Sequence, residues 1–250
     1  MMCEALWSER ERVLPGKDDI SRAAESLEGS DPQEILSWAI DVYGDDLTLS
    51  VSFGNPEGMV LLDMLSRITD RAQVFTIDTG FLFDETVGFR EETMDCYRMP
   101  IEVVGTSLSI EEQVEQYGPG MRTCSPDTCC QVRKVEPQKR FLEDYEAWMT
   151  GIRRGQTADR ADTPVAGWDE FFGVAKVSPL VSWTSEQVEE YAREYSVPMN
   201  PLLKMGYRSI GCAPQTRPVQ EGEDARAGRW ADSGKTECGI HIANGKVGRA

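Results

Sequence analysis

The chain has 250 residues, 40% of them hydrophobic, enough core for one large domain or two small ones. A net charge of −17 excludes the broad basic footprint that nucleic-acid binding needs. No run reaches the roughly 18 apolar residues of a membrane span, and the opening "MMCEALWSERERVLPGKDD" has no apolar signal region, so a cytoplasmic protein without a membrane partner is expected.

The pattern predicts helix over 18–43, with Ser30 and Asp31 as a start before "PQEILSWAIDVYG" and Gly44 as a stop. "DLTLSVSF" (46–53) alternates and is rich in strand formers. After the turn "GNPEG" comes the amphipathic "MVLLDMLSRI", then a second strand in "AQVFTIDTG" (72–80). "FDETVGFREETMDCYR" reads as helix, "PIEVVG" as strand, "SIEEQVEQYG" as helix and "YEAWMTGI" (145–152) as strand. "DRADTPVAGWDE" (159–170) reads as a loop. "AKVSPLVSW" (175–183) is extended, and Thr184 caps the helix "SEQVEEYAREYS". From about residue 207 the periodicity fades into Gly, Pro, Arg and Cys. Strand–helix alternation predicts an α/β fold, a mostly parallel sheet with helices on both faces. Residues 1–206 would form the α/β part, including the paired cysteines. Residues 207–250 would form an irregular segment carrying an Arg-rich loop and a reactive tail, all in one structural domain.

Ligands bind such sheets at the carboxyl ends of the strands, which is where "SFGNPEG" and "IDTG" fall. The first of these is not the Walker pattern, since the Gly-Lys-Ser/Thr ending is missing. "CSPDTCCQVRK" (124–134) pairs Cys129 with Cys130, five residues beyond Cys124. Vicinal thiols rarely bond to each other and suit cluster or zinc ligation. Two buried small side chains would be the plainer account. "GCAPQTR" adds Cys212 in a Gly/Pro loop, where a second cysteine at position 215 would complete a four-thiolate set; the residue there is Gln215. In "GEDARAGRW", Arg226 and Arg229 stand three apart and could converge on a phosphate- or sulfate-like group. Residues 201–250 carry eight Lys/Arg against five Asp/Glu, a net +3 on a chain whose first 200 residues hold −20. "KTECGIH" sets Cys238 three residues before His241, the chain's single histidine. A cysteine attacks as thiolate, which a neighbouring cation favours.

Together these motifs resemble the adenylyl-sulfate and phosphoadenylyl-sulfate reductases of assimilatory sulfate reduction, over roughly residues 20–241. The resemblance rests on "SFGNPEGMVLLDM", "IDTGFLFDET", "CCQVRKVEP", "TGIRRGQT", "GYRSIGCAPQTR", "GEDARAGRW" and "KTECGIH", which occur in the family's order. It implies an adenine-nucleotide α-hydrolase-like fold and attack by Cys238 on the sulfonyl sulfur of the substrate. AMP would leave a Cys238 thiosulfonate, from which thioredoxin or a glutaredoxin-type reductant releases sulfite. It also implies that Lys134, Arg226, Arg229 and His241 screen the anionic substrate. Ser52, Phe53, Gly54, Asp78, Thr79 and Gly80 would frame the nucleotide. The paired cysteines and "GEDARAGRW" resemble the cluster-bearing, adenylyl-sulfate-using branch.

Two departures stand out. Gly155 replaces an expected acidic residue in "TGIRRGQT", which would loosen that loop. Gln215 replaces a cluster cysteine, and an amide is a poor substitute for thiolate at iron. A [4Fe-4S] cluster on Cys129, Cys130 and Cys212 is still the favoured expectation; recruitment of Cys124 and a cluster-free enzyme are the other outcomes. Two other functions fit less of the chain. An ATP-dependent adenylating enzyme of this fold would carry Ser-Gly-Gly-x-Asp-Ser at the first turn. An iron or redox sensor would leave "IDTG" and the tail without a role. The sequence leaves open a homo-oligomer and the choice between adenylyl and phosphoadenylyl sulfate.

Overall fold

The computed structural model describes residues 14–97, 99–118, 126–231, 235 and 237–241, with the backbone alone for Pro126 and His241. Cys124 lies outside the described residues.

The expected helical stretch over 18–43 is two helices, α1 (Lys17–Leu27) and α2 (Pro32–Tyr43). Gly29 breaks the run at φ +84°, a left-handed conformation that glycine adopts without strain. The helix then restarts behind Asp31, with Pro32 in its first turn. Strand β1 (Leu47–Ser50) leads to α3 (Pro56–Ile68), and β2 (Gln73–Asp78) leads to α4 (Asp84–Cys96). Strand β3 (Ile101–Gly105) precedes α5 (Ile110–Tyr117), whose Ser109 cap accepts from the Glu112 amide at 3.1 Å. The paired cysteines end α6 (Pro126–Cys130), which passes through a π-helical turn, Gln131–Val135, into α7 (Glu136–Leu142). Then come β4 (Ala147–Thr150), β5 (Ala166–Asp169), β6 (Val174–Val177) and α8 (Ser185–Glu194). Thr184 caps α8 as expected, accepting from the Gln187 amide at 3.3 Å.

The six strands lie in the order β3-β2-β1-β4-β6-β5. All neighbours are parallel except β5, which runs antiparallel to β6. Residues 159–170 are therefore not a plain loop: their second half is an edge strand. Side chains alternate across the sheet as a strand's period of two requires. Leu49, Val74 and Met149, in register, join one core with α2, α3 and α8. Phe75 and Trp148 point to the other face, against Leu142 of α7 and Phe172. Residues Gly58–Leu65 of α3 are all buried, so this helix is apolar nearly all round. The result is the expected α/β architecture, with the carboxyl ends of β1, β2 and β4 opening on one side.

From Tyr207 onward the described residues have only short turns and an isolated antiparallel bridge between Thr216 and Arg229. It is nonetheless firmly seated. The Asn55 side-chain amide donates to the Ile210 carbonyl at 3.1 Å and accepts from the Ile210 amide at 3.0 Å. The Ala213 amide donates to the Phe81 carbonyl at 2.7 Å. Two turns at strand ends thus hold the C-terminal segment over the sheet.

Candidate active site

A crevice of about 1110 Å³ opens at the carboxyl ends of the strands. Ser52, Phe53 and Gly54 from the turn after β1 line it, with Thr79 from the turn after β2. Asp78 and Gly80, expected to frame a ligand, are not among its lining residues. Asp78 instead shapes the turn: its carboxylate accepts from the Gly80 amide at 2.8 Å and pairs with Arg90 at 2.8 Å. Burial pushes that carboxyl up, but the Arg90 and Gly80 bonds outweigh it and hold it below its ordinary range.

The π turn and the C-terminal segment supply a further wall: Lys134, Gly211, Arg226, Arg229, Trp230 and Cys238. Residues 104 positions apart, Lys134 and Cys238, thereby share one wall. Arg229 is largely buried, reaching Ser209 Oγ at 3.4 Å and the Ile210 carbonyl at 3.3 Å, while its Nε–H has no partner among the described residues. Its guanidinium lies 4.3 Å from the Trp230 ring centre, and Arg226 lies 5.8 Å from the same ring. The two arginines therefore converge, as their spacing suggested. Burial lowers the pKa of both. Desolvated guanidinium with an unused donor is a receptor for an anion.

Cys238 is buried, with the Cys130 thiol beside it. That contact holds the Cys238 thiol well below its ordinary range; burial opposes it, and Lys134, the Ile240 amide and Arg229 add to it. Cys130 moves in the opposite direction for the same reason, aided by its burial. Lys134 stays cationic: Cys212, Cys238 and Cys130 more than offset the effect of its burial. His241 closes the short turn Gly239–His241, and its imidazole lies outside the described residues.

Several site residues had escaped the sequence reading. Glu237, next to Cys238, receives both arms of Arg160, at 2.7 and 2.6 Å, and Arg226 at 3.4 Å. Arg153 donates twice to Glu57, at 3.0 and 2.8 Å, and both side chains are buried. Gln156 joins the same Glu57 oxygen at 2.9 Å and accepts from Arg160. Gly155 thus sits inside a short turn pinned on both sides. The "IRRGQT" motif signalled the two arginines' neighbourhood, but nothing local announced their acidic partners.

Of the expected cluster ligands, Cys129 and Cys212 lie near Lys134 and each other, and Cys130 faces Cys238. Cys212 Sγ is 3.3 Å from Thr79 Oγ1. Gln215 closes a 3-10 turn with Cys212 at its start. Among the described residues no three His, Cys, Asp or Glu side chains gather as ligands of one metal ion. Three thiols and an amide do not make the donor set of a four-thiolate cluster.

The phosphoadenosine phosphosulfate reductase domain model matches residues 46–218. The chain is similar to the adenosine 5'-phosphosulfate reductase of Streptomyces coelicolor, 44% identical over 88% of this chain and 92% of that protein. It is 41% identical to the phosphoadenosine 5'-phosphosulfate reductase of Gloeobacter violaceus, over 89% of this chain and 93% of that one. Among solved structures, the phosphoadenylyl-sulfate reductase of Candida auris, in a phosphate complex, superposes with a TM-score of 0.69 at 29% identity. That match covers 80% of this chain and 97% of the Candida protein.

Proposed function

We propose that this chain, which belongs to the phosphoadenosine phosphosulfate reductase family, cleaves adenylyl sulfate reductively to sulfite and AMP. The observation that carries the proposal is the placing of Cys238. It stands in the wall of the crevice that the strand-end turns form, beside Lys134 and Arg229. The nucleotide would rest against Ser52, Phe53, Gly54 and Thr79, with its phosphosulfate toward Arg226, Arg229 and Lys134. An anionic nucleophile approaching an anionic substrate is repelled unless cations lie between them. These three supply the charge, and His241 is assigned to the same group by resemblance. Cys238 Sγ attacks the sulfonyl sulfur, the bond to the phosphate oxygen breaks, and AMP departs with its electron pair. A thiosulfonate remains on Cys238, and a thioredoxin-type dithiol supplies the two electrons that free sulfite.

The reading places the protein in the cytoplasm, where such reductants are kept reduced. Residues 1–206 act as the nucleotide-binding part and 207–250 as the segment that carries the thiol over it. Were iron held here, Cys129, Cys130 and Cys212 would be its thiolates, and one iron would have none.

Cys238→Ser tests the assignment. It should form neither sulfite nor the AMP burst from adenylyl sulfate, yet bind AMP as wild type does. More than half the wild-type rate in that variant would sink it. Running phosphoadenylyl sulfate in parallel decides between the two substrates.

A further inference from the structure

Glu237 is a carboxylate in the wall of a crevice proposed above to receive an anion. A negative charge there opposes such a ligand, so its place calls for another account. Arg160 meets it as a fork, Nε donating to Oε2 at 2.7 Å and Nη2 to Oε1 at 2.6 Å. Oε1 also accepts from the backbone amide of Cys238 at 2.8 Å. Burial pushes the Glu237 carboxyl up, and Arg160, Arg226 and that amide more than reverse the effect, so it stays ionised. Arg160 is itself tied down. It ends the short 3-10 turn Ala158–Arg160, and its Nη1 donates to Gln156 Oε1, which also accepts from the Arg153 amide at 3.0 Å. Gln156 Nε2 reaches Glu57, in the first turn of α3, at 2.9 Å. A line of bonds thus runs from the helix behind the β1 turn to the backbone of the nucleophile. The pair that ends it is nearly out of solvent, with the Arg160 side chain 7% exposed and that of Glu237 14%. The neighbouring pair of Lys235 with Asp127 instead ends on a carboxylate that is 65% exposed, where water screens the attraction.

We propose that the Arg160–Glu237 pair positions the nucleophile, fixing the Cys238 backbone so that its sulfur stays in the crevice wall; the proposal rests on the Cys238 reaction given above. Arg160 acts through Glu237, and Glu237 acts through the Cys238 amide. Neither makes or breaks a bond of the substrate. A displacement of about 1 Å from the line of attack costs on the order of 100-fold in rate, so a tail held only by its exposed pair would leave the thiol present but poorly aimed.

The experiment makes two measurements on wild type, Arg160→Ala, Glu237→Ala and the double variant. The first is the rate of the AMP burst from adenylyl sulfate without reductant, with AMP affinity beside it. The second is the rate at which iodoacetamide alkylates Cys238 with no substrate present, read by peptide mass, which needs no turnover. Each single variant should slow the burst roughly 10- to 100-fold at unchanged AMP affinity, and the double variant should be no slower than the worse single one. Cys238, buried in wild type, should alkylate roughly tenfold faster in Arg160→Ala. The sign separates two causes: losing a cation near a thiol disfavours the thiolate and slows alkylation, whereas release of the tail speeds it. Arg160→Lys keeps the charge without the fork and should restore only part of the burst. Slower or unchanged alkylation in Arg160→Ala would overturn the positioning role. So would effects that multiply in the double variant, or a loss of AMP affinity that accounts for the slower burst. Wild type that forms no AMP would defeat the proposed function alone, and the alkylation rates would still support or overturn the hold of Arg160 on Cys238. Should Arg160→Ala not fold, Arg160→Lys takes its place in both measurements, with the same directions expected.

Discussion

Gly211 is where a single methyl group should disarm the site without touching its chemistry. A Cβ there would stand 2.4 Å from Arg229 Nη2 and 2.5 Å from its Cζ, contacts no real side chain tolerates. The backbone of Gly211 is outside the left-handed region, so alanine adds no conformational strain of its own. Gly211→Ala must therefore displace the Arg229 guanidinium, which is packed between the Ile210 carbonyl and the Trp230 ring. A charge-assisted hydrogen bond contributes about 1.5–3 kcal/mol. Its loss corresponds to a fall of roughly 10- to 150-fold in kcat/KM for adenylyl sulfate. The assay is a double-mutant cycle on sulfite production with Gly211→Ala, Arg229→Ala and the pair. If the methyl acts through Arg229, adding it to Arg229→Ala should change nothing further. Effects that multiply in the double variant, or a Gly211→Ala enzyme at the wild-type rate, would refute the reasoning.

Lys134→Gln removes a cation that helps hold the Cys238 thiol down, beside the dominant contact with Cys130. Attack needs thiolate, so the AMP-burst rate rises with pH through that pKa; raising the pKa moves the rising limb to higher pH. An unmoved limb in stopped-flow measurements would remove Lys134 from that role. Glu57→Ala leaves Arg153 buried without its carboxylate and should lower unfolding stability by about 3–5 kcal/mol; a urea midpoint close to wild type would contradict this. Gln215→Cys completes a four-thiol set. After anaerobic reconstitution with iron and sulfide it should retain more visible absorbance through gel filtration than wild type, and equal retention would show that residue 215 is not a ligand position.

The sheet was legible because its strands are bounded by turn residues and alternate with amphipathic helices of ordinary length. The edge strand β5 was missed because "AGWD" is four residues long and lies among turn formers. The helical stretch 18–43 and the start at Asp31 were legible, but the break just before it, where Gly29 takes φ +84°, was not marked by any change in the amphipathic pattern. Cys238, Arg226 and Arg229 were readable since each stands in a compact motif. Their supports were not. Glu57 meets Arg153 across 96 residues and Glu237 meets Arg160 across 77, and no local pattern encodes such meetings. The contact between Cys130 and Cys238 is hidden in the same way, as is the choice of Asp78 to brace its own turn through Arg90.

The double hydrogen bond from Asn55 to Ile210 spans 155 residues, and it sets an order of events at birth. Synthesis runs from the amino end, so the sheet strands and their helices are complete before Ile210 leaves the ribosome. Until then the Asn55 amide lacks its Ile210 partner, and the crevice lacks Arg226, Arg229 and Cys238. A nascent or prematurely halted chain can thus hold a folded sheet yet be chemically silent. Reactivity arrives with the segment that follows Ile210, when sequestration of the thiol and assembly of its anion site happen in one docking step.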